Sequence, residues 1–295
     1  MSTVALEAGA WRAVIDPWRG GCLLELTHAG RPILRPATEA ALRQSGVRAA
    51  ACYPLIPYAN RIDQGRLRVA GREYRLRPNF PASAHPLHGL AWQRAWRLEG
   101  TDGSSAELAL EHRGPEAGAA EDWPFPFQAR ERFELTSRGL TITLSVRNTA
   151  AQAWPAGLGL HPNFPLWPGR ALQFEATGVW GNGPDQLPER VLAGADWEFR
   201  EPRAIEPLAL DNDFYGWARR ARLTGGPSGA LLVEASEPFS VLRVFTAAAR
   251  GFVAVEPASH IADAVNRPQA PGSGHRLLEP GEVLAGKVTL SVEDA

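Results

Sequence analysis

The feature of this chain that most constrains its fold is an alternation of apolar and polar residues with a period of two. Residues 140–146 follow it strictly, with an aliphatic residue at every even position and Thr or Ser between them. Residues 129–135 and 287–292 repeat the pattern, and in the first of these Glu131 falls on the apolar side. Because successive side chains of a β-strand point to opposite faces, this period indicates strands rather than amphipathic helices.

Gly and Pro residues divide the chain into short segments. The 29 Gly and 25 Pro residues are spread along the whole sequence, and they interrupt any long helix. Ala70-Gly71 lies between two short strand patterns and indicates a hairpin, while Ala29-Gly30 and Arg138-Gly139 mark further turns. Only residues 38–44 have a helical pattern, and residues 114–120 form a predicted loop.

Two apolar runs complete the fold prediction. Residues 241–245 and 252–255 are almost continuously apolar, which is typical of strands covered on both faces. Many short strands, frequent turns and little helix favour a sandwich or a barrel. We therefore predict an all-β fold, a large and mostly antiparallel β-sandwich that forms one domain over residues 1–295.

The charge of the chain excludes several classes of partner and of chemistry. The 31 basic and 32 acidic residues give a formal net charge of −1, and no basic tail is present. This argues against nucleic acid or a membrane surface as the partner. Lys287 is the single lysine, in a predicted surface strand, so chemistry that requires a dedicated lysine amine is disfavoured.

The cellular compartment follows from the N-terminus and the cysteines. Residues 1–10 have no basic stretch followed by an apolar core, and no segment approaches about 20 apolar residues, so we expect a cytoplasmic protein. Cys22 and Cys52 are expected to be buried free thiols, with a disulfide between them as the alternative.

Familiar catalytic signatures are absent from the sequence. We find no G-x-S-x-G nucleophile elbow, no G-x-x-x-x-G-K phosphate loop and no G-x-G-x-x-G dinucleotide fingerprint. His85 and His88 have the spacing of a metal-binding pair, but Pro86 between them disfavours a helix that presents both. The sequence therefore predicts no metal site.

Polar residues stand out in apolar surroundings at four places. Asn60 and Arg61 follow a nearly apolar stretch, His88 and His161 precede Gly and Pro respectively, and Glu256 ends an apolar strand. Burial of Glu256 would raise its pKa toward neutrality, as a general base requires. Each residue alone also has a purely structural interpretation: a hairpin corner, a histidine with satisfied hydrogen bonds, or a glutamate facing water.

Taken together, these segments resemble a known family. The chain has P-x-x-N-R-I at 57–62, H-G at 88–89, H-P at 161–162, D-x-x-F at 211–214 and E-P at 256–257. All five motifs occur in the order found in the aldose 1-epimerases, or galactose mutarotases, and the resemblance extends from about Val14 to the C-terminus. It implies the large β-sandwich of galactose mutarotases and interconversion of the α and β anomers of a free aldose.

The resemblance also implies a role for each residue. Ring opening requires a base that takes the proton of the anomeric hydroxyl and an acid that protonates the ring oxygen, roles that fall to Glu256 and His161. Four further residues would bind the sugar: Asn60, Arg61, His88 and Asp211. The expected partner is a small-molecule aldose, the expected assembly is a monomer or a homodimer, and proton transfer alone requires no cofactor or metal.

The chain departs from the family pattern in two respects: it is somewhat short for a galactose mutarotase, and one residue near the H-P motif differs. Asn163 stands two residues after the H-P histidine, where galactose enzymes commonly have an aromatic residue. Trp92 and Trp96 follow the His88 segment and could stack on a sugar face, although core packing is the more common use of tryptophan.

Three alternative functions remain open, of which a lyase or a hydrolase on a similar sandwich is the weakest. A hexose-6-phosphate mutarotase would need several arginines that converge on a phosphate, and 31 basic residues with one lysine do not exclude this, although Asn60-Arg61-Ile62 favours the free-sugar branch. A non-catalytic sugar-binding or sensor protein on the same fold would lack the acid/base pair, whereas both Glu256 and His161 are present.

Overall fold

The computed structural model describes residues 2–80, 83–114 and 122–293. About 47% of the chain is strand and 9% is helix, and the strands within each sheet pair antiparallel, which confirms the predicted fold class. The strands are β1 (Val4–Ala8), β2 (Trp11–Asp16), β3 (Cys22–His28), β4 (Arg31–Pro32), β5 (Pro54–Leu55), β6 (Arg66–Val69), β7 (Arg72–Arg75), β8 (Arg97–Thr101), β9 (Ser105–His112), β10 (Phe127–Thr136), β11 (Gly139–Asn148), β12 (Trp154–Pro155), β13 (Gly159–Leu160), β14 (Asn163–Pro165), β15 (Ala171–Phe174), β16 (Gly178–Asn182), β17 (Pro188–Leu192), β18 (Arg203–Ala204), β19 (Asp211–Tyr215), β20 (Arg220–Thr224), β21 (Leu231–Ala235), β22 (Val241–Ala247), β23 (Phe252–Ala258), β24 (Leu277–Leu278) and β25 (Val283–Val292).

In the described part of the chain, helix is confined to one α-helix and a few single turns. The α-helix, α1, spans Glu39–Ser45 and begins after Thr38, whose hydroxyl accepts a hydrogen bond from the Ala41 N–H. Short 3₁₀ helices occur at Gly46–Ala49, Asp63–Gly65, Ala91–Gln93, Ala195–Trp197, Ala248–Arg250 and Ala264–Asn266. No helix among the described residues is long and apolar enough to cross a membrane.

Two large sheets contain most of the strands. The first has nine strands in the order β18-β15-β20-β21-β25-β11-β10-β9-β8. The second has eight, in the order β17-β16-β19-β22-β23-β13-β5, with β14 also paired to β23. Apolar side chains from both sheets belong to one continuous buried cluster, which also includes side chains from the smaller sheet β1-β2-β3-β4. The eight-stranded sheet carries the candidate site.

The local predictions agree with the structure where it describes them. The alternating segments became the long strands β10, β11 and β25, and the Ala70-Gly71 turn joins β6 to β7. Cys22 and Cys52 are buried free thiols, and burial raises the pKa of each. The predicted loop at 114–120 lies, beyond residue 114, outside the described residues.

Glu131 is a carboxyl group inside the apolar core. It is 1% exposed on the inward face of β10, and its Oε2 has no hydrogen-bond partner within the described part of the chain. Burial raises its pKa well above the ordinary value. The folded-state pKa therefore exceeds the unfolded-state value of about 4.3. With respect to Glu131, the folded protein is most stable at low pH, where this carboxyl is neutral in both states, and this stability is lost as the pH rises toward the folded-state pKa.

We expect Glu131→Gln to stabilise the protein increasingly as the pH rises. Glutamine cannot ionise, so its advantage should grow by about 1.4 kcal/mol per pH unit above about pH 5, for as long as Glu131 stays protonated in the folded state. Urea unfolding at several pH values measures this difference. Glu111→Gln, on the exposed part of β9, removes a charge from the surface and serves as control. A difference that does not vary with pH would contradict the prediction.

Candidate active site

A row of polar side chains crosses the eight-stranded sheet at one level. Glu256 in β23 pairs with Arg243 in β22, which pairs in turn with Asp213 in β19. On the other side of β23, Gly159 pairs with Ala258 and Asn163 pairs with Ala254. His161 lies midway between these two pairs, level with Glu256. Residues that lie directly opposite each other on antiparallel strands point to the same face of the sheet. The register of the strands therefore brings these side chains together.

His161 and Glu256 lie side by side in this row. His161 Nε2 lies 3.4 Å from Glu256 Oε1, and both side chains are almost completely buried. The His161 imidazole stacks on the Tyr53 ring, with centroids 4.5 Å apart, and its backbone N–H donates to the Tyr53 carbonyl. These contacts hold the imidazole at a fixed position beside the carboxylate.

Burial moves the pKa values of the pair in opposite directions. It raises the pKa of Glu256 to about 8, against the lowering effect of the Arg243 charge and with the help of Asp211 and Asp213. It lowers the pKa of His161 to about 3, and nearby arginines, Arg243 first, act in the same direction. Between these pKa values the pair holds one proton, mostly on Glu256.

Asn60 and His88 form a reciprocal pair beside these groups. The Asn60 backbone N–H donates to the ring atom Nδ1 of His88 at 3.0 Å, and the backbone N–H of His88 donates to the Asn60 backbone carbonyl at 2.8 Å. Both residues have left-handed backbone conformations, a strain that concentrates at functional sites. The next residue, Gly89, cannot be replaced, since a Cβ there would lie 2.1 Å from the Ile56 carbonyl oxygen.

The hydrogen bond at His88 determines its tautomer. Burial lowers the pKa of His88 well below its ordinary value, so the ring is neutral. Because Nδ1 accepts from Asn60, the proton lies on Nε2, and His88 can donate a hydrogen bond through that atom. His88 lies edge-on to His161, with ring centroids 5.5 Å apart.

Arg61 and Asn60 supply further donors. The Arg61 guanidinium donates to Asn60 Oδ1 and to Gln186 Oε1. Asn60 Nδ2 and Arg61 Nε are buried without a hydrogen-bond partner among the residues that the structure describes. Buried donors of this kind are costly unless they are satisfied, so a ligand with hydroxyl groups would complete them.

Arg243 connects three carboxylates. Its guanidinium donates to Asp213 Oδ1 at 2.9 Å and to Asp211 Oδ1 at 2.5 Å, and its strand partner is Glu256. Burial would lower the pKa of Arg243, but the charges of Asp211 and Asp213 outweigh it and raise the pKa. Arg243 therefore stays charged and holds the carboxylates of Asp211 and Asp213 in position.

The structure brings the six predicted site residues to one cleft. The cleft opens to solvent, has an empty volume of about 880 Å³, and is lined by Asn60, Arg61, His88, His161, Asp211 and Glu256 together with other residues. Three of those others, Tyr53, Gln186 and Arg243, were not predicted as site residues. For Arg243 a signal existed, because it is the single charged residue in the apolar run 241–245.

The hypothesis that Trp92 or Trp96 stacks on a sugar is wrong. Both are buried in the core, and neither lines the cleft. The Trp92 indole N–H donates to the Gly89 carbonyl and so supports the His88 turn from behind. The aromatic rings that do line the cleft are those of Tyr53, Phe80, Phe245 and Phe252.

One group of residues has donors suited to a metal ion. Nitrogen or oxygen atoms of His88, His161 and Glu256 lie within 4.8 Å of one another. Two imidazoles and a carboxylate can bind a transition metal. However, if Nε2 of neutral His88 bound a metal ion, the ring proton would have to lie on Nδ1. Nδ1 could then no longer accept the hydrogen bond that the Asn60 backbone N–H donates to it. The geometry at His88 favours a hydrogen-bond donor over a metal ligand.

Comparison with known proteins agrees with this geometry. The sequence model of the aldose 1-epimerase family matches residues 2–291, and the chain belongs to this family. It is 33% identical to the Escherichia coli K12 protein YphB, described as uncharacterized, over 99% of both chains. It is also 30% identical to YihR of the same organism, likewise described as uncharacterized, over 72% of this chain and 68% of YihR.

Solved structures have the same fold. A crystal structure from Escherichia coli K12, provisionally described as an aldose 1-epimerase, superposes with a TM-score of 0.88 and 30% identity, covering 100% of this chain and 99% of the other. A galactose mutarotase-like protein from Clostridium acetobutylicum gives 0.86 at 22% identity over 99% and 95% of the two chains. The second similarity concerns the fold alone. The all-β fold is therefore of the galactose mutarotase-like type.

Proposed function

We propose that this protein is a mutarotase, which interconverts the α and β anomers of an aldose whose anomeric hydroxyl is free. The observation that carries the proposal is the His161–Glu256 pair, 3.4 Å apart on the floor of a cleft that offers buried, unpaired donors. Family membership supports a mutarotase-like function, and the residue roles below are part of the proposal.

The proposed reaction consists of two proton transfers. In the reactive form of the pair, Glu256 is ionised and His161 carries the shared proton. Glu256 takes the proton of the anomeric O1–H while the C1–O5 bond breaks and His161 protonates O5. Rotation about the C1–C2 bond of the open aldehyde, followed by the reverse transfers, closes the ring on the other carbonyl face. Protons balance, and the pair returns to its starting state.

The surrounding groups bind and orient the sugar. The His88 Nε2–H and the Arg61 guanidinium are placed to stabilise negative charge that develops on ring oxygen. Asp211 accepts hydrogen bonds from sugar hydroxyls, and Asn60 Nδ2 donates one. Arg243 holds Asp211 in position and limits the rise of the Glu256 pKa, so that the carboxylate can ionise near neutrality.

The proposal is tested by anomer exchange of freshly dissolved α-aldoses. Polarimetry or NMR exchange spectroscopy should show a rate above that of buffer for at least one aldose, with glucose, galactose, mannose and xylose as the first panel. Binding of the same sugars is measured by calorimetry in parallel. Sugar binding without exchange would favour the alternative function, a sugar sensor on this fold.

The pH dependence of kcat/KM should report the shared proton. An active pair needs one acid and one base, hence one proton between the pKa values of about 3 and about 8. We expect kcat/KM to be nearly constant from about pH 5 to 7 and to fall above about pH 8, as the pair loses its proton. Rates are corrected for buffer and hydroxide catalysis. A corrected kcat/KM that rises through pH 9 would contradict the shared-proton mechanism.

A further inference from the structure

Two arginines that line the cleft and a third beside them have no acidic partner among the described residues. Arg48 and Arg250 line the cleft, and Arg35 lies next to them, donating to the Arg48 carbonyl at 3.4 Å. None of the three forms an ion pair with a described carboxylate, whereas most other arginines of the chain do. Arg35 Nε is also buried without a hydrogen-bond partner in the described chain.

Phenyl rings hold these guanidinium groups in place. The Arg48 guanidinium carbon lies 4.6 Å from the centroid of Phe80. Those of Arg35 and Arg250 lie 4.2 Å and 4.9 Å from the centroid of one ring, Phe252. A guanidinium that stacks on a ring keeps its N–H groups free around its edge, where they can bind an anion in a bidentate manner.

The charges in the cleft are unbalanced. Its lining includes four arginines but only two carboxylates, Asp211 and Glu256. Arg243 is compensated by Asp211 and Asp213, and Arg61 donates to neutral acceptors. The pKa of Arg35 is lowered by burial and then by the charge of Arg250, so the two cations repel each other. An anion between these side chains would remove that repulsion.

The position of the arginines suits the far end of a sugar. Phe252 precedes Glu256 by four residues in β23, so their backbones are roughly 13 Å apart along the strand. Arg48, in the turn Gly46–Ala49, and Arg250, in the turn Ala248–Arg250, line the same cleft as Glu256. A pyranose whose anomeric carbon lies at Glu256 and His161 can therefore direct its remote carbon toward Arg48 and Arg250.

We propose, building on the mutarotase function above, that the substrate is an aldose with an anionic group on the carbon remote from the anomeric centre, and that Arg48 and Arg250 bind this group. A phosphate ester or a carboxylate provides the required chemistry. Arg35, which lies next to Arg48, adds a third positive charge. The cleft thus combines the acid/base pair at one end with an anion site at the other.

The test compares sugars that share a ring and differ only in charge. Anomer exchange and calorimetric binding are measured for glucose, glucose 6-phosphate and glucuronate, and for the corresponding galactose series, each against its own buffer rate. We expect kcat/KM and affinity to be at least about 10-fold higher for an anionic member than for its neutral counterpart, because charge-assisted hydrogen bonds exceed neutral ones. The phosphate and carboxylate arms distinguish the two sources of charge.

Variants locate the anion site. Arg48→Gln and Arg250→Gln should each lower kcat/KM for the preferred anionic sugar by about 10–100-fold, and much less for the neutral sugar. Arg138→Gln changes the net charge equally, lies in the exposed β10–β11 turn of the other sheet, and should keep the preference for the anionic sugar. Melting temperatures confirm that the variants fold.

The outcomes separate this proposal from the one on which it rests. Exchange of neutral and anionic sugars at equal rates would overturn the anion site and leave the mutarotase function intact. If no sugar exchanges, the mutarotase function fails, and the anion site is judged by binding alone. Tighter binding of an anionic sugar that depends on Arg48 and Arg250 would then support it, and equal or absent binding would overturn it.

Discussion

Replacing Glu256 by glutamine is expected to lower kcat for anomer exchange by about 10²–10⁴-fold, the usual contribution of general base catalysis. Glutamine has the same shape and can still bond the anomeric hydroxyl, but it cannot take a proton at neutral pH. Sugar affinity should change far less, by roughly 1 kcal/mol, because a neutral hydrogen bond replaces a charged one. NMR exchange gives kcat and calorimetry gives the affinity of the same protein preparation.

Variants of His161 extend this experiment. His161→Gln should show a similar loss, and the double variant should lose less than the product of the single losses, because the two residues share one proton and act as a unit. Glu279→Gln, at an exposed position after β24, controls for loss of a carboxylate. Near-wild-type exchange by Glu256→Gln would refute the mechanism. Multiplicative losses in the double variant would show that the two residues act independently.

Replacing Arg243 by methionine is expected to destabilise the fold by about 3–5 kcal/mol, which is the usual cost of leaving a buried charge unpaired. Asp213 is 1% exposed and, among the described residues, would retain only the Ala262 N–H as a hydrogen-bond donor. The second effect concerns catalysis. The Arg243 charge lowers the pKa of Glu256, so the fall in kcat/KM above about pH 8 should move to higher pH in any variant that folds.

Matched variants separate the two effects. Arg243→Met combined with Asp213→Asn removes both charges and should recover much of the lost stability, which urea unfolding measures in a double-mutant cycle. Arg222→Met breaks a pair with Glu293 at the surface and should cost less than about 1 kcal/mol. An Arg243→Met protein as stable as Arg222→Met would show that Asp213 does not depend on this partner.

Much of the fold could be predicted from periodicity because a strand's two faces are a local property. The alternation in residues 129–135 placed Glu131 on the inward face, and the structure buries it there. The helical pattern of residues 38–44 is local too, and α1 begins and ends one residue later than that prediction. Sheet order could not be predicted, because pairs such as β11 with β25 join distant segments.

The candidate site was predicted unevenly for the same reason. Glu256, His161 and His88 stand in motifs, so the resemblance to a family identified them directly. Arg243 lies in no motif, and its importance depends on which strands flank β22. Arg48 and Arg250 were two among many arginines in the sequence. Only the folded chain shows that they share a cleft with Glu256.

Some residues of the cleft lie in strands and others lie in turns, and this difference determines which of them can be varied in protein engineering. Glu256, Arg243 and Asp213 are held by ladder hydrogen bonds, so slipping β23 by one residue would point Glu256 to the opposite face. Arg48, Gln186 and Arg250 lie outside the strands, between them in the chain. Directed evolution of sugar preference should therefore succeed by varying these three turns while the strand positions are kept constant.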